Sequence, residues 1–180
     1  MKLKVGVIGS AGDLSQSSDA NSVAAKAVAL ARALRKHDVI LLTGATTGVV
    51  YVVGKAAHES GIFHVGISPA SSEDEHHQRY NLPLDACDVI IYTGFGLKGR
   101  NVVLVRSCDI VVCVAGAMGS LNEFTIAHDE GKVIGCLTGT GGVADETHYL
   151  LERFSTQKNV SVIRNEDPEV LLDSCLQAIR

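Results

Sequence analysis

The sequence contains no tryptophan, and its only aromatic residues are 4 Tyr and 4 Phe. Its 16 Lys and Arg are outnumbered by 20 Asp and Glu, which gives a formal net charge of −4 at pH 7. Dedicated nucleic-acid binders use a broad positive field and aromatic platforms on which bases stack. This composition provides neither, so we expect no nucleic-acid partner.

Long apolar runs and paired cysteines are also missing. No run approaches the roughly 18 residues that span a bilayer, so we expect no membrane association. With 46% apolar and 20% charged residues, the chain can bury a large core, and we expect one domain over residues 1–180. The cysteines form no CxxC pair and lie mostly in apolar runs, which indicates reduced thiols and a cytoplasmic protein. They are Cys87, Cys108, Cys113, Cys136 and Cys175.

Two familiar phosphate-binding motifs are absent. The turn GSAGD at 9–13 is not GxGxxG, and the second strand ends in Leu42 and Thr43 without the acidic residue that binds ribose. Nothing in the chain matches GxxxxGK[ST] either. The sequence therefore disfavours both a Rossmann dinucleotide site and a P-loop.

What the sequence does contain is a regular alternation of strand-like and helical segments. The strand-like runs are β-branched and almost continuously apolar, which is typical of a parallel sheet covered on both faces. Between them lie amphipathic segments, the first with apolar residues at spacings of three and four from Val23 to Leu34. We predict an α/β fold with one doubly wound, Rossmann-like, mainly parallel sheet. The predicted strands are 4–9, 38–43, 62–68, 88–93, 109–115, 132–138 and 159–163, and the later helices lie near 48–60, 99–107, 119–131, 144–155 and 167–179.

A polar segment at 70–86 interrupts this alternation. Its clustered charges suit either a partial lid over the strand ends or a solvated surface loop, and the sequence leaves both open. Its neighbouring His76 and His77 would point apart in an extended backbone, so we expect no metal site here.

Three glycine-rich turns follow the first, second and fifth strands, at 9–13, 43–48 and 115–123. Ligands of doubly wound sheets bind at the carboxyl ends of the strands, where glycines and helix N-termini present backbone amides. We therefore expect an anion, most simply a phosphate, although tight strand-to-helix turns alone would also explain the glycines. The expected binding residues are Gly9, Ser10, Thr43, Gly44, Thr46, Thr47, Gly48, Gly116, Ala117, Met118, Gly119 and Ser120.

Charged side chains accompany these turns. Glu123 follows Ser120 by three residues, which is the spacing of a helix capping box as well as of a carboxylate facing the glycine turn. A helix N-terminus would also keep Glu123 ionised. Lys98, Arg100 and Asn101 lie where a strand gives way to a helix, and they could face a bound anion or simply be exposed to solvent.

At these residues the chain resembles the LOG-like proteins, long labelled lysine decarboxylase-like, across roughly residues 4 to 140. Their PGGxGTxxE loop corresponds to AGAMGSLNE, in which Gly116, Gly119 and Glu123 are kept. Their GGGxxGLMG turn corresponds to TGATTGVV, and their catalytic arginine to Arg100. The departures are Ala115, Ala117, Ser120 and also Asn101, which stands where the phosphoribohydrolases of the family typically carry a lysine.

The resemblance implies a homodimer that binds a phosphorylated small molecule and requires no other cofactor. One branch of the family cleaves nucleoside 5′-monophosphates to free base and ribose 5-phosphate, which would make Glu123 and Arg100 catalytic. The Arg100-Asn101 pair is closer to a branch similar to the molybdenum cofactor carrier proteins, which bind a phosphorylated pterin without consuming it. Hydrolysis and non-catalytic carriage or sensing therefore both remain open.

Overall fold

The structure is a computed structural model that describes residues 1–12, 19–156 and 159–179. Asp13, the last residue of the first predicted glycine turn, lies outside these ranges.

Seven strands form one sheet, and each coincides with a predicted apolar run to within a few residues. The largest difference is in the last strand, which begins at Val162 because its pairing with the preceding strand starts there, opposite Ile134. The strands are β1 (Leu3–Gly9), β2 (Val39–Thr43), β3 (His64–Ser68), β4 (Val89–Tyr92), β5 (Ile110–Val114), β6 (Val133–Leu137) and β7 (Val162–Asn165).

In the described part of the chain, five α-helices connect successive strands and a sixth follows the last strand. The last has a favourable start, because the Asp167 side chain accepts hydrogen bonds from two amides of the first turn and proline follows it. The third begins at residue 96 rather than 99, so Lys98 lies inside its first turn. The helices are α1 (Ala20–Arg35), α2 (Val49–Glu59), α3 (Gly96–Ser107), α4 (Met118–Asp129), α5 (Gly142–Phe154) and α6 (Pro168–Ala178).

The sheet is parallel throughout, with strand order β4-β3-β2-β1-β5-β6-β7. Helices α1, α2 and α6 pack together on one face, and α3, α4 and α5 pack on the other. Each face has its own apolar core, and the central strands contribute alternate residues to the two. The predicted doubly wound α/β fold is confirmed.

The strand order reverses direction at β1. From β1 the chain moves outward through β2, β3 and β4, and α3 then returns it to β5 on the other side of β1. Helices α1 and α4, which come after β1 and β5, lie on opposite faces of the sheet. The crevice between the ends of these two strands is where doubly wound proteins bind ligands.

The polar segment between β3 and β4 contains a short π-helical turn, Glu75–Arg79. His76 is fully buried, and its ring bonds to the Ser68 hydroxyl and to the carbonyl of Pro83. His77 lies against the carbonyl of Leu82. The segment is thus fastened to the end of β3.

Among the described residues, none of the helices is both long enough and apolar enough to span a bilayer.

At the edge of the sheet, β4 exposes Val89 and Ile91, and the neighbouring α3 exposes Leu97 and Val102. The homodimer expected from the family resemblance stays a prediction.

The two-sided core predicts the outcome of a matched pair of substitutions in α6. Leu171 is fully buried against the sheet, whereas the adjacent Val170 is 49% exposed. We expect Leu171→Ala to lower the free energy of unfolding by about 2–5 kcal/mol, because it leaves a cavity. Val170→Ala should change it by no more than about 0.5 kcal/mol. Urea unfolding measures both, and equal effects would contradict the packing of α6.

Candidate functional site

A cleft of about 340 Å³ opens at the predicted place, between the carboxyl ends of β1 and β5. Residues 10–12 after β1, the glycine turn after β2 and the first turns of α3 and α4 form its walls. The predicted residues that line it are Gly9, Ser10, Gly44, Thr46, Lys98, Arg100, Asn101, Ala117, Gly119, Ser120 and Glu123.

Ser10 joins the three glycine turns to one another. Its hydroxyl accepts a hydrogen bond from the Gly116 amide at 2.9 Å, and its carbonyl accepts one from the Val49 amide at 3.0 Å. Gly48 has a φ of +75°, and a Cβ atom there would lie 2.3 Å from the Ser10 carbonyl oxygen. Glycine is required at this position both by conformation and by space.

The first turn of α4 presents backbone amides to the cleft. The first hydrogen bond of this turn runs from Leu121 N to Ala117 O at 2.9 Å, so the amides of residues 118–120 precede it. Such amides have no partner within their helix and, together with the helix dipole, favour an anion.

The capping box expected from Ser120 and Glu123 does not form. Helix α4 begins at Met118, which makes Ser120 its third residue and Glu123 its sixth, and its N-cap, Ala117, makes no side-chain capping bond. The earlier helix start moves both residues beyond capping range. Glu123 is therefore directed to a different partner.

That partner is Arg100 of α3. Its Nη1 lies 3.2 Å from Glu123 Oε1, and the two side chains are only 7% and 8% exposed. The guanidinium lies against the Gly44 backbone, where an added Cβ atom would be 2.0 Å from Nη1. A glycine in the second turn thus makes room for an arginine from α3.

Arg100 keeps an unused donor. Among the described residues, no group accepts a hydrogen bond from its Nε, although this atom is buried. Lys98 lies on the exposed rim of the same cleft. Two cations thus face one carboxylate, Glu123, and the cleft is suited to an acceptor-rich anion such as a phosphate.

Glu123 is not held in the ionised form that the sequence predicted. Burial raises the pKa of its carboxyl group to about 7, and the positive charges of Arg100 and Lys98 offset only part of this effect. Burial also lowers the pKa of Arg100, which Glu123 partly opposes. The expected help from a helix N-terminus is missing because Glu123 lies in the second turn of α4. Acid and carboxylate forms therefore coexist near neutral pH.

Asn101 lies beside this pair. Its amide group lies 2.9 Å from the Asn122 side chain. With the amide oxygen and nitrogen exchanged, the nitrogen donates to Leu97 O at 2.9 Å and to Glu123 Oε1 at 3.1 Å. The Asn101 oxygen then faces the Asn122 side chain at 2.9 Å, and with the Asn122 amide exchanged as well its nitrogen donates to that oxygen. Because this arrangement satisfies more hydrogen-bonding groups, we assign Asn101 as a second donor to Glu123.

Several predicted binding residues do not line the cleft. The hydroxyl of Thr43 bonds to His64 and accepts the Ala45 amide, and that of Thr47 donates to the Ala11 carbonyl. Both hydroxyls are thus used within the protein rather than presented to a ligand. The predicted residues outside the lining are Thr43, Thr47, Gly48, Gly116 and Met118.

A fourth glycine-rich turn, TGTGG at 138–142, follows β6 and was not among the turns predicted from the sequence. The Thr140 hydroxyl accepts the Ala115 amide at 2.8 Å, and the Val143 amide donates to Gly116 O at 3.0 Å. Through these two hydrogen bonds, the turn at 138–142 and the start of α5 fix the backbone of the turn that follows β5. Its glycine pattern could have predicted a fourth turn at the cleft. The apolar residues Val50 and Leu97 also line the cleft, but nothing in the sequence distinguishes them from core residues.

Comparison with known proteins shows the family to which the chain belongs. Residues 2–172 match the model of a family described as the SLOG cluster4 family. An uncharacterized protein of Archaeoglobus fulgidus is 33% identical over 98 residues, which is 54% of this chain and 59% of that protein. The chain thus spans less than two thirds of the length of this curated relative.

Solved structures share the whole fold. The X-ray structure of TM1055 is 27% identical, with a TM-score of 0.85, and the match covers 98% of this chain and 99% of that one. A molybdenum cofactor carrier protein from Chlamydomonas reinhardtii is 25% identical, with a TM-score of 0.76 and 99% of each chain covered. The molybdenum cofactor binding protein of Rippkaea orientalis shares the fold at 24% identity, with a TM-score of 0.76 over 100% of this chain and 99% of that one.

The contact between Gly44 and Arg100 predicts the effect of a single methyl group. Gly44→Ala forces the guanidinium away from the turn, so we expect the free energy of unfolding to fall by about 1–3 kcal/mol as the buried ion pair loosens. Gly119→Ala is the matched control, because an added Cβ atom there has open space. It should cost nothing and could add up to about 1 kcal/mol of helix stability. Thermal unfolding compares the two, and equal stability would contradict the contact.

The pKa of Glu123 predicts a pH dependence of stability. A carboxyl group whose pKa is raised from 4.5 to about 7 by folding binds its proton more tightly in the folded state. Its stabilising contribution is therefore complete below the unfolded pKa and is lost as the pH rises towards 7, by about 1.4 kcal/mol for each pKa unit. We expect wild type to lose stability relative to Glu123→Gln between pH 5 and 8. A constant difference between the two, in urea unfolding at several pH values, would refute the raised pKa.

Proposed function

Because this chain belongs to the SLOG cluster4 family, we propose that it binds a phosphorylated small molecule of nucleotide type in the cleft between β1 and β5. The observation that carries the proposal is the buried Arg100, whose Nε has no acceptor among the described residues and which lines the same cleft as the first turn of α4. A phosphate oxygen satisfies both kinds of donor at once.

The polar and the apolar residues of the lining suit different parts of the proposed ligand. The phosphate lies against the amides of Gly119 and Ser120, with Ser10, Thr46 and Ser120 supplying hydroxyl groups. The apolar side chains of Val50 and Leu97 lie on the walls and pack against the sugar or the ring system. No other cofactor takes part in this arrangement.

Carriage without turnover is the first form of this proposal. The carrier protein of Chlamydomonas reinhardtii matches this chain over 99% of both lengths, which supports a ligand of the phosphorylated pterin type. Glu123 supports the same reading, since it is paired with Arg100 rather than exposed to solvent.

Hydrolysis of nucleoside 5′-monophosphates is the second form, and the pKa of Glu123 favours it. A carboxyl group with a pKa of about 7 can exchange a proton near neutral pH, as general acid–base catalysis requires. In this reaction the bond from ribose C1′ to the base breaks, water adds to C1′, and the base leaves with a proton. Glu123 orients the water and stabilises the charge on ribose, while Arg100 holds the phosphate.

We also propose that the protein acts as a homodimer.

The binding proposal predicts thermal stabilisation by phosphorylated ligands. Nucleoside 5′-monophosphates, sugar phosphates and phosphorylated pterins at millimolar concentration are compared with their unphosphorylated counterparts by thermal shift. At a concentration 100 times the Kd, a ligand stabilises the folded state by about 2.7 kcal/mol. Arg100→Gln should abolish the shift because it removes the charge. If no phosphorylated compound raises the melting temperature, the site assignment is wrong.

The same panel separates turnover from carriage. Release of free base from a nucleoside monophosphate, lost in Glu123→Gln while ligand binding persists, supports hydrolysis. Binding without release from any substrate supports the carrier. Release that survives Glu123→Gln would contradict the role given to that residue.

A further inference from the structure

A buried polar network lies beneath the glycine turn that follows β2. Thr43, the last residue of β2, and His64, the first residue of β3, are each only 1% exposed. The Thr43 hydroxyl lies 2.8 Å from His64 Nε2 and 3.2 Å from the amide nitrogen of Ala45. The other ring nitrogen of His64, Nδ1, bonds to the carbonyl of Ala86. Neither the binding proposal nor the family resemblance gives His64 a role.

The direction of every proton in this network follows from chemistry. The Ala86 carbonyl can only accept, so Nδ1 of His64 donates to it, and in the neutral ring Nε2 must then be an acceptor. The Thr43 hydroxyl therefore donates to Nε2, which leaves its oxygen lone pairs for the Ala45 amide. Burial lowers the pKa of His64 to about 4, so the ring is neutral at physiological pH, and Asp88 and His58 are the titratable groups near it.

The amide at the end of this network belongs to a strained residue. Ala45 has a φ of +49°, in the left-handed region that disfavours residues with a side chain. Two features support it there. The Thr43 oxygen accepts its amide, and Gly66 makes room for its methyl group, which would lie 2.8 Å from a Cβ atom at that glycine. A strained backbone of this kind persists only where its surroundings fix it.

The strained turn carries the surface on which Arg100 lies. Gly44 directly precedes Ala45, and its backbone contacts the guanidinium that pairs with Glu123. We infer that His64 is a positioning residue of the cleft, which acts through the Thr43 hydroxyl to fix the Ala45 turn and thereby places Arg100 beside Glu123. The inference concerns the protein's own geometry, and only its effect on ligand affinity rests on the proposed function.

The neighbouring strand contains a matched network that provides a control. The Ser68 hydroxyl accepts the Ala70 amide at 3.0 Å and lies 2.8 Å from the buried His76, whose other ring nitrogen lies 3.1 Å from Pro83 O. These residues do not line the cleft, and Ala70 does not have a positive φ. This second network fastens the polar segment at 70–86 to the end of β3 and makes no contact with Arg100.

The test compares Thr43→Val, which removes the hydroxyl and keeps the shape of the side chain, with Thr43→Ser, which keeps the hydroxyl. The readout is the titration of the Glu123 carboxyl carbon by NMR in the whole protein without ligand, with Glu123→Gln identifying the signal. We expect Thr43→Val to raise the Glu123 pKa by about 0.5 unit or more, because Arg100 no longer holds its position. Thr43→Ser and Ser68→Ala should titrate as wild type does.

Two outcomes would overturn the inference. One is an unchanged Glu123 titration in Thr43→Val, and the other is an equal shift in Ser68→Ala, which would indicate a general loss of packing. If Thr43→Val does not fold, the smaller Thr43→Ala makes the same comparison without the risk of overpacking.

Binding of inorganic phosphate, measured by titration calorimetry, adds the functional arm. Thr43→Val should weaken it about tenfold, a change of about 1.4 kcal/mol, and Thr43→Ser should not. If wild type itself fails to bind phosphate or a nucleoside monophosphate, the proposed function fails, yet the Glu123 titration still decides whether the network of Thr43 and His64 positions Arg100.

Discussion

The cleft depends on a buried ion pair, whose charges lose the stabilising contact with water that they would have at the surface. Arg100 and Glu123 are almost completely buried, and such a pair persists only when close partners and further hydrogen bonds offset the loss of water. Here the offset is incomplete, because the pKa of Glu123 is raised, the pKa of Arg100 is lowered, and Arg100 Nε has no acceptor among the described residues. The surrounding turns are shaped to accommodate this pair, beginning with the glycine at position 44.

The sequence was a good guide to the fold because the fold depends on an averaged property. Runs such as IVVCV are apolar on both sides, and only a sheet covered on both faces satisfies them, as the fully buried β5 confirms. Individual boundaries were less certain, since the start of α3 depends on two positive-φ glycines, Gly94 and Gly96, rather than on periodicity.

The site was predictable only in part, for a reason of chemistry. Glycines after strands mark where a backbone approaches something closely, but not what it approaches. Gly44 contacts Arg100 from another helix, and Gly48 contacts the carbonyl of Ser10. Likewise a threonine at a strand end has one hydroxyl, which can serve a ligand or the protein, and at Thr43 it serves His64 and Ala45. Such choices depend on contacts between distant segments.

Asn101 connects the electrostatics of the cleft to the choice between the two proposed activities. The resemblance to phosphoribohydrolases implies a lysine at this position, and a further cation beside Glu123 would lower its pKa and keep it ionised. A neutral amide that donates to Glu123 Oε1 gives weaker compensation, and the pKa stays near 7. A phosphate bound as proposed would add negative charge, which would raise the pKa further and favour the protonated acid. In that form Glu123 would donate a hydrogen bond to the ligand, which suits retention, whereas the proposed cleavage uses the carboxylate form that is also present near pH 7 to stabilise the developing cation.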